Sequence, residues 1–485
     1  MARHAAPGTR GADNKHIKSH FVTFPVTVFS TLVPITLLAT AGLAPAGPAP
    51  ADTPAPRALV AAATGEGAFR HLTAFQDIAE RHGGNRAAGT PGHERSARYA
   101  GALLAEAGYR VTYQRFAFPY REPVTERLTR LGGEPRDIPV RALSFTGNTP
   151  DGGLTTTLAD AGDGCAPDDF DPAALHGRIA LIERGGCTFA EKQAGAAAAG
   201  AAAVLIRNNV PGPLTGTLGG PDPAALPTGG LGREDGAALA GALADALAAG
   251  QEVTLHLELT ELAEERTTVN VIAESRGGDQ DRVVMAGAHL DSVLEGPGIN
   301  DNGSGSAGVL ETALRLAETS GGRHPNRVRF ALWSAEESGL LGSEHYVEHL
   351  PPAEREDIAV YLNFDMIGSP NHGQFVYEGN PAVTEDITAF LRGRGQRTAP
   401  TPFNGRSDYA PFVAAGIPSG GTFTGAEGIK SEAEAGYWGG TAGAAYDPCY
   451  HAACDTLDNI GRAALDTHVK VIAHTVGTYA WRAPH

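Results

Sequence analysis

The side chains best suited to chemistry are His289 and Asp291, then Asp301, Glu336-Glu337 and Asp365, and finally His451. Imidazole and carboxylate are the groups that hold catalytic zinc, which normally takes three protein ligands and leaves a position for water. His289, Asp301, Glu337, Asp365 and His451 offer five ligands. That is too many for one such ion. If one carboxylate bridges, two ions receive three contacts each, and the charge of two Zn²⁺ balances three carboxylates and one hydroxide. A paired site of this kind acidifies its water and clamps both oxygens of a tetrahedral intermediate. Neighbouring side chains on an extended backbone point opposite ways, so Glu337 can bind metal while Glu336 stays free as a general base. Asp291, two residues past His289, is placed to orient that imidazole.

These residues need a scaffold that brings them together. Buried-type strands are read at 283–288, 328–333 and 359–364, with helices at 309–317 and 340–350 between them. Strands alternating with helices make a parallel sheet covered on both faces, and such sheets bind ligands beyond the carboxyl ends of their strands. Each of the three strands ends in a metal-capable side chain. A single histidine or acidic pair in that position would be an ordinary turn; three in succession are not.

Upstream, Phe69, Leu72, Phe75, Ile78 and Ala79 recur at helical spacing, as do Tyr99, Leu103 and Leu104. The run from Asn85-Arg86 to Gly92 connects these helices, and 110–119 alternates as a strand. From 124 to 262 the texture changes to short β-like runs (178–183, 203–206) around alanine-rich helices at 190–199 and 236–249, closed by a strand at 253–259. This stretch reads as a separate α+β module.

Composition narrows the class. A chain of 485 residues exceeds one ordinary core, and 42% hydrophobic against 19% charged residues excludes a wholly disordered chain. The net charge of −17 argues against a nucleic-acid partner. Arg3, Arg10, Lys15 and Lys18 precede an apolar run over 26–44 and small residues ending at Ala49-Pro-Ala51, the pattern of a secretory signal peptide. Pro34 and the Ser/Thr content favour that over a retained membrane anchor. Removing 1–51, which also holds Asp13, takes the charge from −17 to −20. The four cysteines suit an oxidising compartment. Of their three possible pairings, loop closure favours Cys165 with Cys187 and Cys449 with Cys454; zinc ligation by thiolate is the rival reading.

The motifs His289-Leu-Asp-Ser-Val293, Gly298-Ile-Asn-Asp-Asn-Gly-Ser-Gly-Ser306, Ala335-Glu-Glu337, Asn363-Phe-Asp-Met-Ile-Gly-Ser369, Arg406-Ser-Asp408 and Cys449-Tyr-His-Ala-Ala-Cys454 together resemble the secreted bacterial di-zinc aminopeptidases of metallopeptidase family 28. The likeness is strongest to the leucine-preferring actinomycete type, and it covers nearly all of 266–466 and the 66–119 segment. It implies a parallel-dominated mixed sheet flanked by helices, the zinc-exopeptidase fold. His289 and Asp365 would hold one zinc, Glu337 and His451 the other, and Asp301 would bridge. Glu336 would be the general base and the Tyr450 hydroxyl would stabilise the oxyanion. Arg406 would line the pocket for the substrate's amino-terminal residue, and the Cys449–Cys454 disulfide would pin the loop of Tyr450 and His451. Relatives of this type use C-terminal acidic residues for Ca²⁺. Here Asp466 fits, but Lys470 replaces a carboxylate, which argues against calcium.

The run from Gly177 through Arg184-Gly-Gly-Cys-Thr-Phe189 to Lys192 is similar to the protease-associated domain. It implies an inserted α+β domain with Cys165–Cys187 as its disulfide. The domain plan is then a leader (1–51), a first peptidase segment (52–123), the insertion (124–262) and the metal-bearing segment (263–485). His345-Tyr-Val-Glu-His349 spells an unrelated zinc-peptidase signature, but Leu340, Val347 and Leu350 turn it toward solvent. Gly303-Ser-Gly-Ser-Ala-Gly308 follows a loop and not a strand, so it reads as a turn into a helix, not a nucleotide site. No serine nucleophile elbow is present.

The function expected is a secreted zinc aminopeptidase acting as a monomer on peptide or protein amino termini, with no nucleic-acid partner and no lasting membrane association. A carboxypeptidase or dipeptidase on the same scaffold is the alternative, and a non-catalytic binding protein a more distant one.

Overall fold

The computed structural model describes residues 54–132 and 134–483; the leader read at 1–51 lies outside them. At the centre of the sheet four strands run parallel in the order Ser419–Phe423, Ile358–Asp365, Asp279–His289, Asn326–Trp333. Their interiors are buried almost continuously, as expected of strands covered on both faces. The pairing register sets Trp333 beside His289 and Asp365 beside Phe423, so the carboxyl ends finish level with one another. Antiparallel strands flank this centre. Thr254–Glu274 and then Arg110–Leu131 continue from Asn326–Trp333, and Phe375–Tyr377 lies against Ser419–Phe423. The sheet is the mixed, parallel-centred one expected.

One face carries the helices Gly65–Arg81, Pro91–Glu106, Gly305–Ser320 and Arg462–Trp481. Leu72, Phe75, Leu310 and Ile472 from these helices pack with Val284, Leu362 and Phe364 of the sheet in one core. On the other face, Tyr346 of Leu341–Glu348 and Phe412 of Tyr409–Ala414 cover Met285, Trp333 and Tyr361. Arg462–Trp481 was not legible as a helix. Its run from Val471 to Ala480 is buried on nearly every side, and a helix buried all round loses the apolar/polar period that reveals a surface helix.

The inserted module has parallel strands Leu154–Asp160, Ile179–Glu183, Ala203–Arg207 and Thr228–Leu231, closed by Arg141–Ala142. The helices Phe189–Ala198 and Arg233–Ala248 cover its two faces. The boundaries read at 123/124 and 262/263 are not chain breaks. Arg110–Leu131 and Thr254–Glu274 run through both, paired from Arg110–Glu274 to Leu131–Thr254 with one irregularity between Pro123 and Thr125. The change of texture marks the point where one ribbon leaves the first core and joins the second.

The glycine run after Asp301 is indeed a turn into a helix. A wide turn over Ile299–Ser304 leads straight into Gly305–Ser320. A Cβ on Gly305 would lie 2.2 Å from the Phe364 carbonyl oxygen and 2.4 Å from Asn302 Oδ1. This helix start is therefore wedged against the strand that ends in Asp365. His345 stacks on Phe116 at 4.9 Å and is half-buried, while His349 is exposed; the turn toward solvent holds for the second histidine only. We predict that Gly305→Val lowers stability by about 2 kcal/mol or more, measured as a reduced urea midpoint.

Candidate metal centre

His289 is the last residue of its strand. Its Nδ1 lies 3.1 Å from the Asp291 backbone carbonyl, a contact that fixes the ring and leaves Nε2 facing the cavity. The Asp291 carboxylate is 3.7 Å from that nitrogen and has a second task besides facing the imidazole. It accepts the backbone N–H of Glu336 at 3.3 Å and of Glu337 at 3.4 Å. Asp291 therefore ties the first strand end to the acidic pair.

The acidic pair is not extended. Ala335 has φ +56°, and the Glu336 carbonyl accepts from the N–H groups of Gly339 and Leu340, so the chain turns and both carboxylates converge. Glu336 Oε2 lies 3.8 Å from His289 Nε2, and Glu337 Oε2 lies 3.1 Å from His451 Nε2. Asp301 stands between the histidines. Its Oδ1 is 3.3 Å from His289 Nε2 and its Oδ2 is 3.1 Å from His451 Nε2. Asp365 Oδ1 joins the His289 side at 3.5 Å. All five proposed ligands, with Glu336, are thus brought together from five separate stretches of backbone.

The donor set fits cations. Two groups, His289–Glu336–Asp365 and His289–Asp301–Glu337, have ligand atoms all within 4.8 Å of one another. Asp365 Oδ1 and Glu337 Oε1 are buried without a hydrogen-bond partner, a cost that a bound cation removes. Electrostatics agrees. Burial opposes charge on His289, yet the Glu336 and Asp365 carboxylates outweigh it and hold the imidazole well above its usual pKa. His451 is lifted in the same way, against burial, by Glu337 and Asp301. Burial also pushes Glu336 well up, with Glu337, Asp408 and Asp365 adding to it. Burial raises Glu337 too. Asp301 goes the other way, because hydrogen bonds from both histidines overcome its burial.

The supports behind the ligands were mostly invisible in the sequence. Ser407 Oγ donates to Asp365 Oδ2 at 2.6 Å, and Asn363 Nδ2 donates to Ser407 at 2.9 Å. Tyr361 and Trp333 extend this chain of bonds. The Asp455 carboxylate accepts the N–H groups of Asn300 and Asp301 at 2.8 and 2.9 Å; burial and Asp447 push its pKa up to about 7. Arg86, read as part of a connection, is fully buried. Its guanidinium donates to the carbonyls of Leu290, Pro297 and Gly298, gripping the loops that present His289 and Asp301. Burial pulls its pKa down to about 10 against the attraction of Asp291 and Asp455.

Tyr450 and His451 come from the Cys449–Cys454 loop, and that disulfide forms, as does Cys165–Cys187. The Tyr450 ring stacks on His451 at 3.8 Å, and its hydroxyl accepts from Arg406 Nη2 at 3.2 Å. Arg406, Tyr377, Tyr409, Phe423 and Met366 line the cavity beside the metal-capable residues.

Comparison with known proteins agrees with this geometry. Residues 270–476 match the model of peptidase family M28, and residues 154–239 match the PA domain. The chain is 41% identical to a probable lipoprotein aminopeptidase, LpqL, of Mycobacterium tuberculosis, over 84% of each chain. The chain belongs to peptidase family M28. Its enzyme class is metallo-aminopeptidase. It is also 43% identical to leucine aminopeptidase 2 of Trichophyton rubrum, over 72% of this chain and 71% of that one. The solved structure of BSAP, a zinc aminopeptidase from Bacillus subtilis, superposes with a TM-score of 0.70 at 30% identity, covering 87% of this chain and 97% of that one.

Two outcomes follow for this M28 peptidase. Ser407→Ala is expected to weaken metal retention roughly 10- to 100-fold with an unchanged fold, measured by competition with a chelator. Metal ligands must be unprotonated, and the surrounding carboxylates hold both histidines well above their usual pKa in the metal-free protein. Adding Zn²⁺ to metal-free protein near pH 7 should therefore release protons, and affinity should rise with pH, as titration in weak buffer would show.

Proposed function

We propose that this M28 peptidase is a secreted, monomeric enzyme that removes amino-terminal residues with large apolar side chains from peptides, using two zinc ions. The observation that carries the pair is Asp301, whose two oxygens are turned to two different histidines. His289 and Asp365 would hold one ion, Glu337 and His451 the other, with Asp301 shared. Bound there, zinc supplies Lewis-acid polarisation of the scissile carbonyl and a more acidic water; the name of the Bacillus subtilis neighbour favours zinc over other metals.

The protein's own groups do the rest. Glu336, with Oε2 3.8 Å from His289 Nε2, would take the proton of the attacking water and hand it to the leaving amine. The Tyr450 oxygen accepts from Arg406, which leaves its proton available to the carbonyl oxygen as charge develops there. The carboxylates around the centre suit a substrate ammonium, which favours an exopeptidase that reads a free amino terminus. Met366, Tyr377, Phe423 and Tyr409 give the cavity lining an apolar, aromatic component. That character, with the name of the Trichophyton relative, supports a leucine-like side chain.

Secretion rests on the leader read at 1–51 and on two disulfides. Among the described residues no helix is long and apolar enough to cross a membrane. Calcium is not part of the reading. Lys470 donates to the carbonyls of Val60 (3.4 Å) and Ala63 (3.0 Å) beside Asp466, so an ammonium ties down the end of the helix Pro54–Ala62 in the place a calcium ion would need.

Two experiments test this. Leucine p-nitroanilide should be hydrolysed and its N-acetyl form refused, with activity lost to a chelator and restored by zinc; cleavage of the blocked substrate would favour the carboxypeptidase or dipeptidase reading. Glu336→Ala should retain two zinc ions by elemental analysis yet turn over at least ~10²-fold more slowly. Full activity in that variant removes Glu336 as the base.

A further inference from the structure

At the mouth of the cavity, Arg406 makes a two-point pair with Glu427. Nη1 lies 2.9 Å from Oε1 and Nη2 3.4 Å from Oε2. The same Nη2 is 3.2 Å from the Tyr450 hydroxyl. Leaving histidine aside, Arg406 is the one cationic side chain among the described residues that line the cavity. Glu427 directly follows Ala426, which lines it too. Both partners are more than half exposed, and ion pairs that wet add little to fold stability. Holding the fold is therefore a poor account of a fork-shaped pair placed here. What the pair does control is the charge presented beside Tyr450.

With the scissile carbonyl at Tyr450, whose hydroxyl is 3.2 Å from Arg406 Nη2, that guanidinium is within reach of the substrate's second residue as well as its first. In a dipeptide the second residue ends in a free carboxylate, the group a guanidinium fork fits best. In a longer chain it continues as a neutral amide. An Arg406 without its partner would select dipeptides; one already satisfied by Glu427 does not distinguish the two. We infer that Glu427 is a specificity-determining residue. It neutralises Arg406, so that the enzyme accepts chains continuing beyond the second residue, peptides of three or more residues and protein amino termini, on equal terms with dipeptides. Specificity here comes from an attraction that is cancelled. The inference rests on the aminopeptidase reading and deepens it.

The test compares leucyl-glycine with leucyl-glycinamide on the zinc-loaded enzyme, and reads the ratio of their kcat/KM values. In Glu427→Gln the ratio should shift about 5-fold toward the free dipeptide. The change should fall mainly in the dipeptide's KM and shrink at about 0.5 M salt. Adding Arg406→Met to Glu427→Gln should return the ratio to that of the unaltered enzyme, which a general loosening of the mouth would not do. A ratio within about two-fold of the starting value in Glu427→Gln, or a shift that survives in the double variant, overturns the inference while leaving the aminopeptidase reading intact. Failure of the unaltered enzyme to cleave leucyl-glycinamide sinks both.

Discussion

Like charges are crowded where water is excluded, and the rest of the molecule is arranged around that. Asp301, Glu336, Glu337 and Asp365 sit within a few ångströms of two imidazoles, with Asp291, Asp408 and Asp455 close behind. Buried carboxylates must be neutralised, protonated or paired. Here the neighbours push several of them toward protonation and both histidines toward holding their protons. The cheapest resolution is divalent charge at the centre. Seen this way the histidines are the adjustable members. The carboxylates hold both imidazoles well above their usual pKa, and each would have to give up its proton to bind a cation.

Such a cluster persists only if the backbone is held against its own repulsion. Three residues at or beside the ligands adopt left-handed conformations that non-glycine residues seldom take. Ala335 (φ +56°) precedes Glu336, Met366 (φ +46°) follows Asp365, and His451 itself has φ +53°. Each costs about 1–2 kcal/mol. What offsets that is on the far side of the loops, where Arg86 is bonded to three carbonyls, Asp455 to two N–H groups, and Asp291 to the N–H groups of the acidic pair. A buried cation beneath a cluster of carboxylates also supplies part of the compensating charge, and it does so without occupying a ligand position.

The division between what the sequence revealed and what it hid follows from these roles. His289, Asp301, Glu337, Asp365 and His451 were legible because each is a chemically distinctive residue at a strand end or loop, where an apolar run stops and an ionisable group begins. Arg86 was hidden because its work is done by a side chain reaching backbone carbonyls more than two hundred residues away, which leaves no local pattern. Asp291 was legible only in part. Spacing placed it next to His289, but only the fold shows the Glu336-Glu337 N–H groups arriving at its carboxylate. The extended reading of that acidic pair failed because the turn at Ala335 depends on a left-handed residue that no local signal demands. The parallel centre of the sheet was readable from its buried runs. The ribbon joining it to the inserted module was not, because strand pairing across 254–274 and 110–131 is a long-range property.

That ribbon also bears on how the two cores share one chain. An insertion joined by flexible linkers would leave both sheets with exposed edges, which carry unpaired backbone groups and invite association. Here Arg110 pairs with Glu274 in the first sheet, and the same two strands still pair at Leu131 and Thr254 in the second. In both cores Thr254–Glu274 is an inner strand, with Asn326–Trp333 on its other side in one and Leu154–Asp160 in the other. Leu257 and Leu259 pack in the module core while Val269 and Val271 pack in the peptidase core. The insertion is therefore built as a prolongation of the strand that lies next to the one ending at Trp333 and, beyond it, the Glu336-Glu337 turn. A ladder of backbone hydrogen bonds, with one irregularity between Pro123 and Thr125, leads from the module to the edge of the metal centre.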